Sequence, residues 1–317
     1  MPTDVPKLSL VVPVYNEESS LPELRRRIDL IRDGLPAALD VLLVNDGSSD
    51  DSLAIATQWC EADHSVTCIS LSRNFGEQAA ISAGLDNATG DFVVIIPADL
   101  QDPPELIPVM FAAAMDGAEV VYTRRIGRDE GLIKRSLATA FYSIMERLSR
   151  TPYQGQAGDF KLLSRRVVDA IKAMPERRRF VRGMVSFVGF EQVPVDYRRA
   201  DRAEGRGASY LGLFKLAAEA ITAYSDVPLS LATLIGSVTA LCALVSALSL
   251  AVLSLAGALS LSLMLLTLMV VAFLGGIQLI AIGILGTYVA RVHEQTLQRP
   301  LYLIGLVITG ANDDSNA

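Results

Sequence analysis

The segment Pro97-Ala-Asp-Leu-Gln-Asp-Pro-Pro104 carries an acid and an amide two residues apart. Carboxylate and amide oxygens are ligands that hard divalent cations such as Mg²⁺ and Mn²⁺ accept. A cation held by Asp99 and Gln101 would neutralise the charge that develops on a diphosphate leaving group. The structural alternative is that Asp102 caps a helix entered through Pro103, with Asp99 incidental.

Two more polar segments follow apolar runs, Val12-Pro-Val-Tyr-Asn-Glu17 and Val44-Asn-Asp-Gly-Ser-Ser-Asp50. Tyr15 could lie against a nucleobase, and Asp46 could accept hydrogen bonds from a base or a ribose. Gly47 would permit the sharp turn that brings the backbone close to a ligand. Each segment alone is an ordinary strand-to-helix turn. Together, at the ends of successive strands, they predict a nucleotide pocket.

These segments need a scaffold, and the first 125 residues alternate short β-branched runs with amphipathic stretches. This alternation predicts an α/β fold with a largely parallel sheet, whose ligands lie beyond the carboxyl ends of the strands. The polar segments, with Ser72–Gly76, then surround one cleft. The expected strands are Leu8–Val14, Val41–Asn45, Val66–Leu71, Phe92–Ile96 and Val120–Thr123, and the expected helices are Leu21–Arg32, Asp51–Ala62, Gly76–Asn87 and Pro104–Met115.

The stretch Val227–Ala290 contains no Asp, Glu, Lys or Arg. A membrane crossing takes about 20 helical residues, so this stretch predicts two crossings, Val227–Leu253 and Leu263–Tyr288. Cations at both ends place both termini in the cytosol. The alternative is a buried helical hairpin. We therefore expect a multi-pass protein of the inner (plasma) membrane with a cytosolic catalytic domain. Amphipathic stretches at 132–148 and 211–224 could lie in the membrane interface or pack on the sheet.

Charge is segregated along the chain, whose overall net charge is −7. Residues 1–164 carry a net charge of −10, whereas residues 165–206 carry +5. A basic block close before a membrane segment predicts contact with anionic lipid headgroups or phosphates, although a solvated surface is the alternative. The block lacks interleaved base-stacking aromatics, so nucleic acid is not an expected partner. Three cysteines and two histidines in no metal-type spacing make a zinc site improbable.

Five strings occur in order: V-P-V-Y-N-E, V-N-D-G-S-S-D, S-R-N-F-G, A-D-L-Q-D-P-P-E and G-D-F-K-L-L-S-R. They resemble the inverting glycosyltransferases that include dolichol-phosphate mannosyltransferase. The string at Gly283–Tyr302 is similar to the bacterial polyprenyl-phosphate glycosyltransferases with two membrane helices. The resemblance extends from Leu8 to about Ile304.

The resemblance implies a GT-A (Rossmann-like) catalytic domain, followed by amphipathic interfacial helices and two transmembrane helices. We expect a GT-A domain at 1–164, a basic juxtamembrane segment at 165–226, the membrane helices at 227–290 and a cytosolic tail at 291–317. It also implies an Mg²⁺ or Mn²⁺ cofactor, inversion at the anomeric carbon and a homo-oligomer.

Site residues are carried over from the same motifs. Asp99 and Gln101 would hold the metal and the diphosphate. Asp159 would face the sugar and acceptor, so Asp99 and Asp159 are the expected catalytic residues. The expected nucleotide-binding residues are Pro13, Tyr15, Glu17 and Asp46.

An acceptor phosphate calls for cations, and arginine suits it through paired, charge-assisted hydrogen bonds. Each candidate could equally be a plain surface charge. The candidates on two sides of the cleft are Arg124, Arg128, Lys134, Arg135, Arg178, Arg182 and Arg202.

This chain departs from the family's pattern at three places. Pro97 stands where an Asp is usual, and Glu77 stands where a basic residue is usual. The segment Gly207–Leu211 lacks an expected phosphate-binding Lys, which Arg202 or Arg206 could replace. The first departure puts the strength of metal binding in doubt.

These observations predict transfer of a sugar from a nucleotide-sugar, with inversion, to polyprenyl (undecaprenyl) phosphate on the cytosolic membrane face. By resemblance alone the donor is UDP-glucose. One alternative is a non-catalytic, membrane-anchored scaffold or sensor that binds nucleotide-sugars, which Pro97 favours. A processive polysaccharide synthase is disfavoured because the only tryptophan, Trp59, lies outside any Gln-x-x-Arg-Trp motif.

Overall fold

The computed structural model describes residues 5–126, 157–176, 179–197, 263–310 and parts of 234–249. The described residues up to Tyr197 and from Arg299 onward belong to one compact unit, and those from 234 to Gln298 belong to a second. Both predicted amphipathic stretches, 132–148 and 211–224, lie outside the described residues.

The first unit contains an eight-stranded mixed sheet in the order β7-β5-β6-β4-β1-β2-β3-β8. Neighbouring strands are parallel except at β6 and β8, which run antiparallel to their neighbours. The strands are β1 (Lys7–Val14), β2 (Ala38–Asn45), β3 (Val66–Leu71), β4 (Phe92–Ile95), β5 (Val120–Arg125), β6 (Ala157–Ser164), β7 (Gln192–Tyr197) and β8 (Ile304–Thr309).

Helices cover both faces of this sheet, which explains why its central strands are near-continuous apolar runs. On α1, the buried residues Leu21, Leu24, Ile28 and Ile31 recur at helical spacing and pack on one face of the sheet. The helices are α1 (Leu21–Arg32), α2 (Ser52–Ala62), α3 (Glu77–Asn87), α4 (Ile107–Met115), α5 (Arg165–Lys172), α6 (Val181–Phe187) and α7 (Leu263–Thr296), and a 3₁₀ turn at Pro104–Leu106 precedes α4.

Alternation along each strand separates two cores. Leu10 and Val12 of β1 belong to the core under α1 and α4, whereas Val11 belongs to the core under α3, α5 and α6. Gly84 of α3 lies so close to Val11 that an added Cβ would stand 2.1 Å from a valine methyl carbon. This contact allows α3 to pack closely on the sheet.

The inserted strand β6 determines which residues share the ligand-binding edge. Because β6 is antiparallel to β4, with Lys161 opposite Ile95, its first residues lie where β4 ends. For the same reason the start of β8 lies beside the end of β3, with Ile304 opposite Leu71. Residues from the predicted cytosolic tail, 291–317, therefore complete the eight-stranded sheet.

The second unit contains α7, whose window Phe273–Ala290 is long and apolar enough to cross a membrane. It is the one such helix among the described residues, and it coincides with the second predicted crossing. Only parts of the first predicted crossing, Val227–Leu253, are described, and residues 234–239 among them are helical. Two membrane helices therefore remain a prediction.

Candidate active site

The loops that follow β1 and β2 are interlocked by side chains from both. Asn16, in a left-handed conformation at φ 55°, accepts a 2.8 Å hydrogen bond from the Ser49 amide through Oδ1. Its own amide donates to Ser48 Oγ at 3.1 Å, and the amide of Glu17 donates to Ser52 Oγ at 2.7 Å. These hydrogen bonds join the two predicted nucleotide-binding segments into one wall. Tyr15 lies in the first segment, and 49% of its surface is exposed.

Asp46 is 2% exposed and acts as a clamp on the next loop. Its Oδ1 accepts a 2.7 Å hydrogen bond from the Phe75 amide, and its Oδ2 accepts a 2.8 Å bond from the Gly76 amide. Burial raises the pKa of Asp46, and the two amide hydrogen bonds oppose that rise. The carboxylate predicted to contact base or ribose therefore also holds the segment Ser72–Gly76 against β2.

Gly47 allows this close approach. It has φ +65°, and a Cβ at this position would lie 2.6 Å from the carbonyl carbon of Arg73 and from the amide nitrogen of Asn74. Any other residue would force the two loops apart. Arg73 lies over the ring of Phe75, 4.4 Å from its centroid, so a cation lies on the loop that Asp46 holds.

The acidic segment after β4 forms a tight turn. Asp99 Oδ1 accepts a 3.1 Å hydrogen bond from the Gln101 amide, and Leu100 between them has φ 59°. Asp102, 1% exposed, accepts a hydrogen bond from the hydroxyl of Tyr197 on β7. Asp102 therefore anchors the turn to the sheet, and the turn holds the Asp99 carboxylate against the backbone amide of Gln101, whose residue is 8% exposed.

The donor set at this turn suits a hard divalent cation. Among the described residues no group of three or more His, Cys, Asp or Glu side chains could hold a metal ion. Asp99 and Gln101 would thus hold only part of a coordination shell. Mg²⁺ and Mn²⁺ sites that share a cation with substrate phosphates and water have this composition. The residues therefore fit a cation that arrives with a nucleotide diphosphate.

A charged cluster lies beside this turn, built from α3, β6 and α6. Asp159, at the start of β6, forms a fork-shaped ion pair with Arg182 of α6. Desolvation raises the pKa of Glu77, the first residue of α3, and the nearby carboxylates of Asp159 and Asp99 raise it further against Arg182. The residue as a whole is exposed, and the desolvation reflects partial shielding of its carboxylate by the neighbouring side chains. Four charges from separate elements thus meet at one edge.

Lys161 completes the cluster and was not among the predicted site residues. It lies two residues after Asp159 on the same face of β6 and is 3% exposed. Burial lowers the pKa of Lys161 to about 8, with Arg182 adding to the effect and Asp159 opposing it. The sequence signal that could have identified Lys161 is its place in the motif Gly158-Asp-Phe-Lys161, directly after Phe160 and two residues after Asp159.

The predicted phosphate-binding cations are only partly described. Arg124, at the end of β5, is paired with Asp196 of β7 at 2.6 and 3.0 Å, and Arg182 is paired with Asp159. Pro13 is buried in β1 opposite Val44. Five candidates lie outside the described residues, namely Arg128, Lys134, Arg135, Arg178 and Arg202.

Comparison with known proteins gives three findings. A profile described as glycosyl transferase family 2 matches residues 9–172. The chain is 38% identical over 301 residues to a prophage bactoprenol glucosyl transferase homolog of Escherichia coli K12, covering 94% of this chain and 98% of the relative. It is 34% identical over 309 residues to the undecaprenyl-phosphate 4-deoxy-4-formamido-L-arabinose transferase of Klebsiella pneumoniae, covering 96% and 94%.

A solved structure is also similar. Glucosyl-3-phosphoglycerate synthase from Mycobacterium tuberculosis, in complex with Mn²⁺ and uridine-diphosphate-glucose, superposes with a TM-score of 0.44 at 19% sequence identity. The superposition covers 68% of this chain and 77% of that chain.

Proposed function

The chain belongs to glycosyltransferase family 2, and from this premise we propose that it transfers a sugar from a nucleotide-sugar to the phosphate of a polyprenyl lipid. One observation carries the proposal: the Asp46 clamp, the turn at Asp99 and Gln101 and the Asp159–Arg182 pair converge on one edge of a GT-A, Rossmann-like sheet. The names of relatives that match nearly the whole chain support a polyprenyl phosphate acceptor.

The donor would bind in the pocket between the loops after β1, β2 and β3. Tyr15 offers an aromatic face to a base, and the loop that Asp46 and Gly47 hold offers backbone groups to the ribose and diphosphate. Glucose carried on UDP is the donor that we propose. The two relatives are named for different sugars, so their names do not agree on one sugar.

Asp99 and Gln101 would hold Mg²⁺ or Mn²⁺ against the diphosphate, where the cation would offset charge on the leaving group. Asp102 and Tyr197 keep the turn in place, so the ligand oxygens are oriented before the donor arrives. Preorganised groups of this kind stabilise a transition state without having to move.

The acceptor phosphate is a monoester that is ionised near neutral pH, so its oxygen needs no strong general base. Catalysis would depend on holding that oxygen in line with the anomeric carbon, opposite the leaving group, which gives inversion. Arg182 lies beside Asp159 and can offer its planar guanidinium to the phosphate. Asp159 would orient the sugar or the acceptor.

A polyprenyl acceptor requires the reaction to occur at a membrane. The long apolar helix α7 supports a membrane anchor, and the proposed location is the cytosolic side of the inner membrane. Two crossings, an interfacial basic segment in contact with membrane lipids and a homo-oligomer are parts of this proposal.

A second candidate is a membrane-anchored scaffold or sensor that binds nucleotide-sugars without transferring them. Pro97 favours it, because a single carboxylate at the turn gives a weak metal site. The Asp159–Arg182 pair favours an enzyme, because binding a nucleotide-sugar alone does not require a charged pair on the acceptor side.

The deciding experiment uses purified full-length protein in detergent with undecaprenyl phosphate and a panel of radiolabelled nucleotide-sugars. We expect label from one donor to enter the lipid extract, to depend on Mg²⁺ or Mn²⁺ and to disappear with Asp159→Asn. Tight nucleotide-sugar binding without label in lipid would instead support the sensor.

A further inference from the structure

The ion pair between Asp159 and Arg182 creates a conflict with the roles proposed for each. Both guanidinium nitrogens that face the carboxylate donate to it, Nε to Oδ1 and Nη2 to Oδ2. Arg182 cannot present that same fork to an acceptor phosphate while it is paired in this way. Asp159, for its part, has one acceptor position on each oxygen occupied by this pair, which reduces what it can offer to a sugar hydroxyl. A phosphate that binds the Nε–Nη2 edge of Arg182 would therefore change the arrangement seen in this structure.

Moving Arg182 alone would leave Asp159 poorly compensated. The carboxylate side chain is only 13% exposed, so water cannot replace the lost hydrogen bonds fully. An ionised carboxylate left without a partner in such a position is strongly destabilised. A second cation within reach would remove this penalty.

Lys161 is that second cation. It is 3% exposed, it shares the face of β6 with Asp159, and no hydrogen bond joins its ammonium to the residues that the structure describes. A lysine this deeply buried is unfavourable unless its charge is compensated, so its retention here needs a reason. Lysine has a flexible four-carbon stem, which lets the charge move without a backbone change.

The surroundings of Lys161 limit what its charge can do. The charged groups that act on it are Asp159 on its own strand and Arg182 on α6, while the polar Tyr122 lies across from it on β5. Glu77 on α3 interacts electrostatically with Asp159 and Arg182 and does not appear among the groups that act on Lys161. Asp159 is thus the acidic group placed to receive the Lys161 ammonium.

We propose that the Asp159–Arg182 pair is a latch which the acceptor's phosphate opens, and that Lys161 then replaces Arg182 as the partner of Asp159. This inference rests on the proposed function. Arg182 gives up the Asp159 carboxylate and binds the acceptor's phosphate, which is also a bidentate anion. It therefore has charge-assisted hydrogen bonds both before and after the exchange. Lys161 is then a positioning residue, because it acts on the acceptor only through Asp159.

The first test compares Lys161→Met with Lys161→Arg in the full-length protein. Methionine has a similar length without the charge, and arginine retains the charge. Binding of undecaprenyl phosphate in detergent micelles and of the nucleotide-sugar are measured separately. We expect Lys161→Met to weaken acceptor binding about tenfold or more and nucleotide-sugar binding less than about twofold, with acceptor binding largely restored in Lys161→Arg. Equal weakening of both ligands would overturn the latch and indicate a purely structural lysine.

The second test asks whether Lys161 acts through Asp159 or contacts the phosphate itself. Lys161→Met is introduced into an Asp159→Asn background, where the carboxylate no longer needs a counter-charge. The latch predicts no further loss of undecaprenyl phosphate affinity in the double variant. A full additional loss would show direct contact with the phosphate and would overturn the latch.

A pH profile gives a third readout. Because the Lys161 ammonium must be charged to pair with Asp159, acceptor affinity should fall as pH rises through about 8. The fall should be absent in Lys161→Arg, whose guanidinium stays charged. Identical profiles for the two proteins would contradict the exchange. If the wild type neither binds nor modifies undecaprenyl phosphate, the proposed function itself fails. If the wild type does both but the double variant is additive, only the latch fails.

Discussion

The hydroxyl of Tyr302 donates a 2.9 Å hydrogen bond to Oδ2 of Asp86, which ties the segment following α7 to helix α3. One residue later, the Leu303 carbonyl accepts a 2.8 Å hydrogen bond from the Ser72 amide. Ser72 begins the loop that Asp46 clamps at Phe75 and Gly76. The chain leaving the long apolar helix is therefore fixed directly to the loop of the candidate donor pocket.

Removing the Tyr302 hydroxyl should loosen this attachment. We expect Tyr302→Phe to lower the free energy of unfolding by about 1 kcal/mol, as for a typical hydrogen bond to a partly buried group. Nucleotide-sugar affinity should fall a few-fold because the Ser72 loop loses a support. Asp86→Ala should produce a similar affinity loss, and the double variant should add little to it. Additive affinity losses would show that the two residues act independently.

The Asp46 clamp predicts a graded response to substitution. Asp46→Ala leaves two backbone amides without acceptors, which costs about 1–3 kcal/mol for each amide that stays buried. Asp46→Asn keeps one acceptor oxygen, so we expect roughly half that loss. Nucleotide-sugar affinity should follow the same order. Chemical denaturation and calorimetric titration measure the two effects, and an Asn variant as impaired as the Ala variant would contradict the clamp.

Sequence periodicity predicted the local elements well because their signals are local. The bounds of α1 (Leu21–Arg32) and β3 (Val66–Leu71) agree with the prediction, since each depends on a nearby pattern of apolar residues. Strand β8 was not predicted, because it depends on a distant partner. Ile308 pairs with Cys68, about 240 positions earlier, and no local sequence pattern indicates that pairing. The insertion of β6 between β4 and β5 was missed for the same reason.

The roles of the candidate site residues stay predictions, and the sequence did not indicate how these residues pair with one another. Asp159 and Arg182 were each assigned to the substrates from motif and charge, whereas the structure pairs them with each other. Asp46 was assigned to base or ribose, and the structure adds two backbone amides as its partners. Motifs identify which residue types a reaction needs, but mutual contacts depend on how α3, β6 and α6 pack.

The buried charge on Lys161 should reduce stability at neutral pH. Its pKa is lowered to about 8 in the folded protein, below the value of about 10.4 in an unfolded chain. Folding therefore disfavours the protonated form of Lys161. The resulting loss in the free energy of unfolding is present in full below pH 8 and disappears as pH rises towards 10. We expect the wild type to gain roughly 3 kcal/mol over that range. Urea denaturation at several pH values should show this gain, and Lys161→Met should lack it.

Asp99 should be essential for metal-dependent transfer. We expect Asp99→Asn to reduce the transfer rate on the order of 10²-fold or more, because a charged ligand is lost where the leaving group becomes negative. Mn²⁺ binding in the presence of nucleotide, followed by electron paramagnetic resonance, should weaken in parallel. Asp116→Asn removes an exposed acid at the end of α4 and serves as the matched control. Normal transfer by Asp99→Asn would exclude the metal role.

Restoring an acid at position 97 should strengthen metal binding. Pro97 lies two residues before Asp99, so Pro97→Asp would place a second carboxylate near the turn. We expect the Mn²⁺ concentration for half-maximal transfer to fall about tenfold, since charged oxygen ligands increase affinity for hard cations. Without the cation, the new charge should raise the pKa of Glu77 further, because Asp99 and Asp159 already raise it.

Removing the proline also makes the unfolded chain more flexible. The Pro97→Ala variant measures this effect without adding a carboxylate. Loss of the ring should cost about 0.4–1 kcal/mol of stability in both variants through the unfolded state. Only Pro97→Asp should change the metal requirement. A metal response shared by the Asp and Ala variants would mean that the backbone at Pro97, and not a missing carboxylate, sets the affinity for the cation.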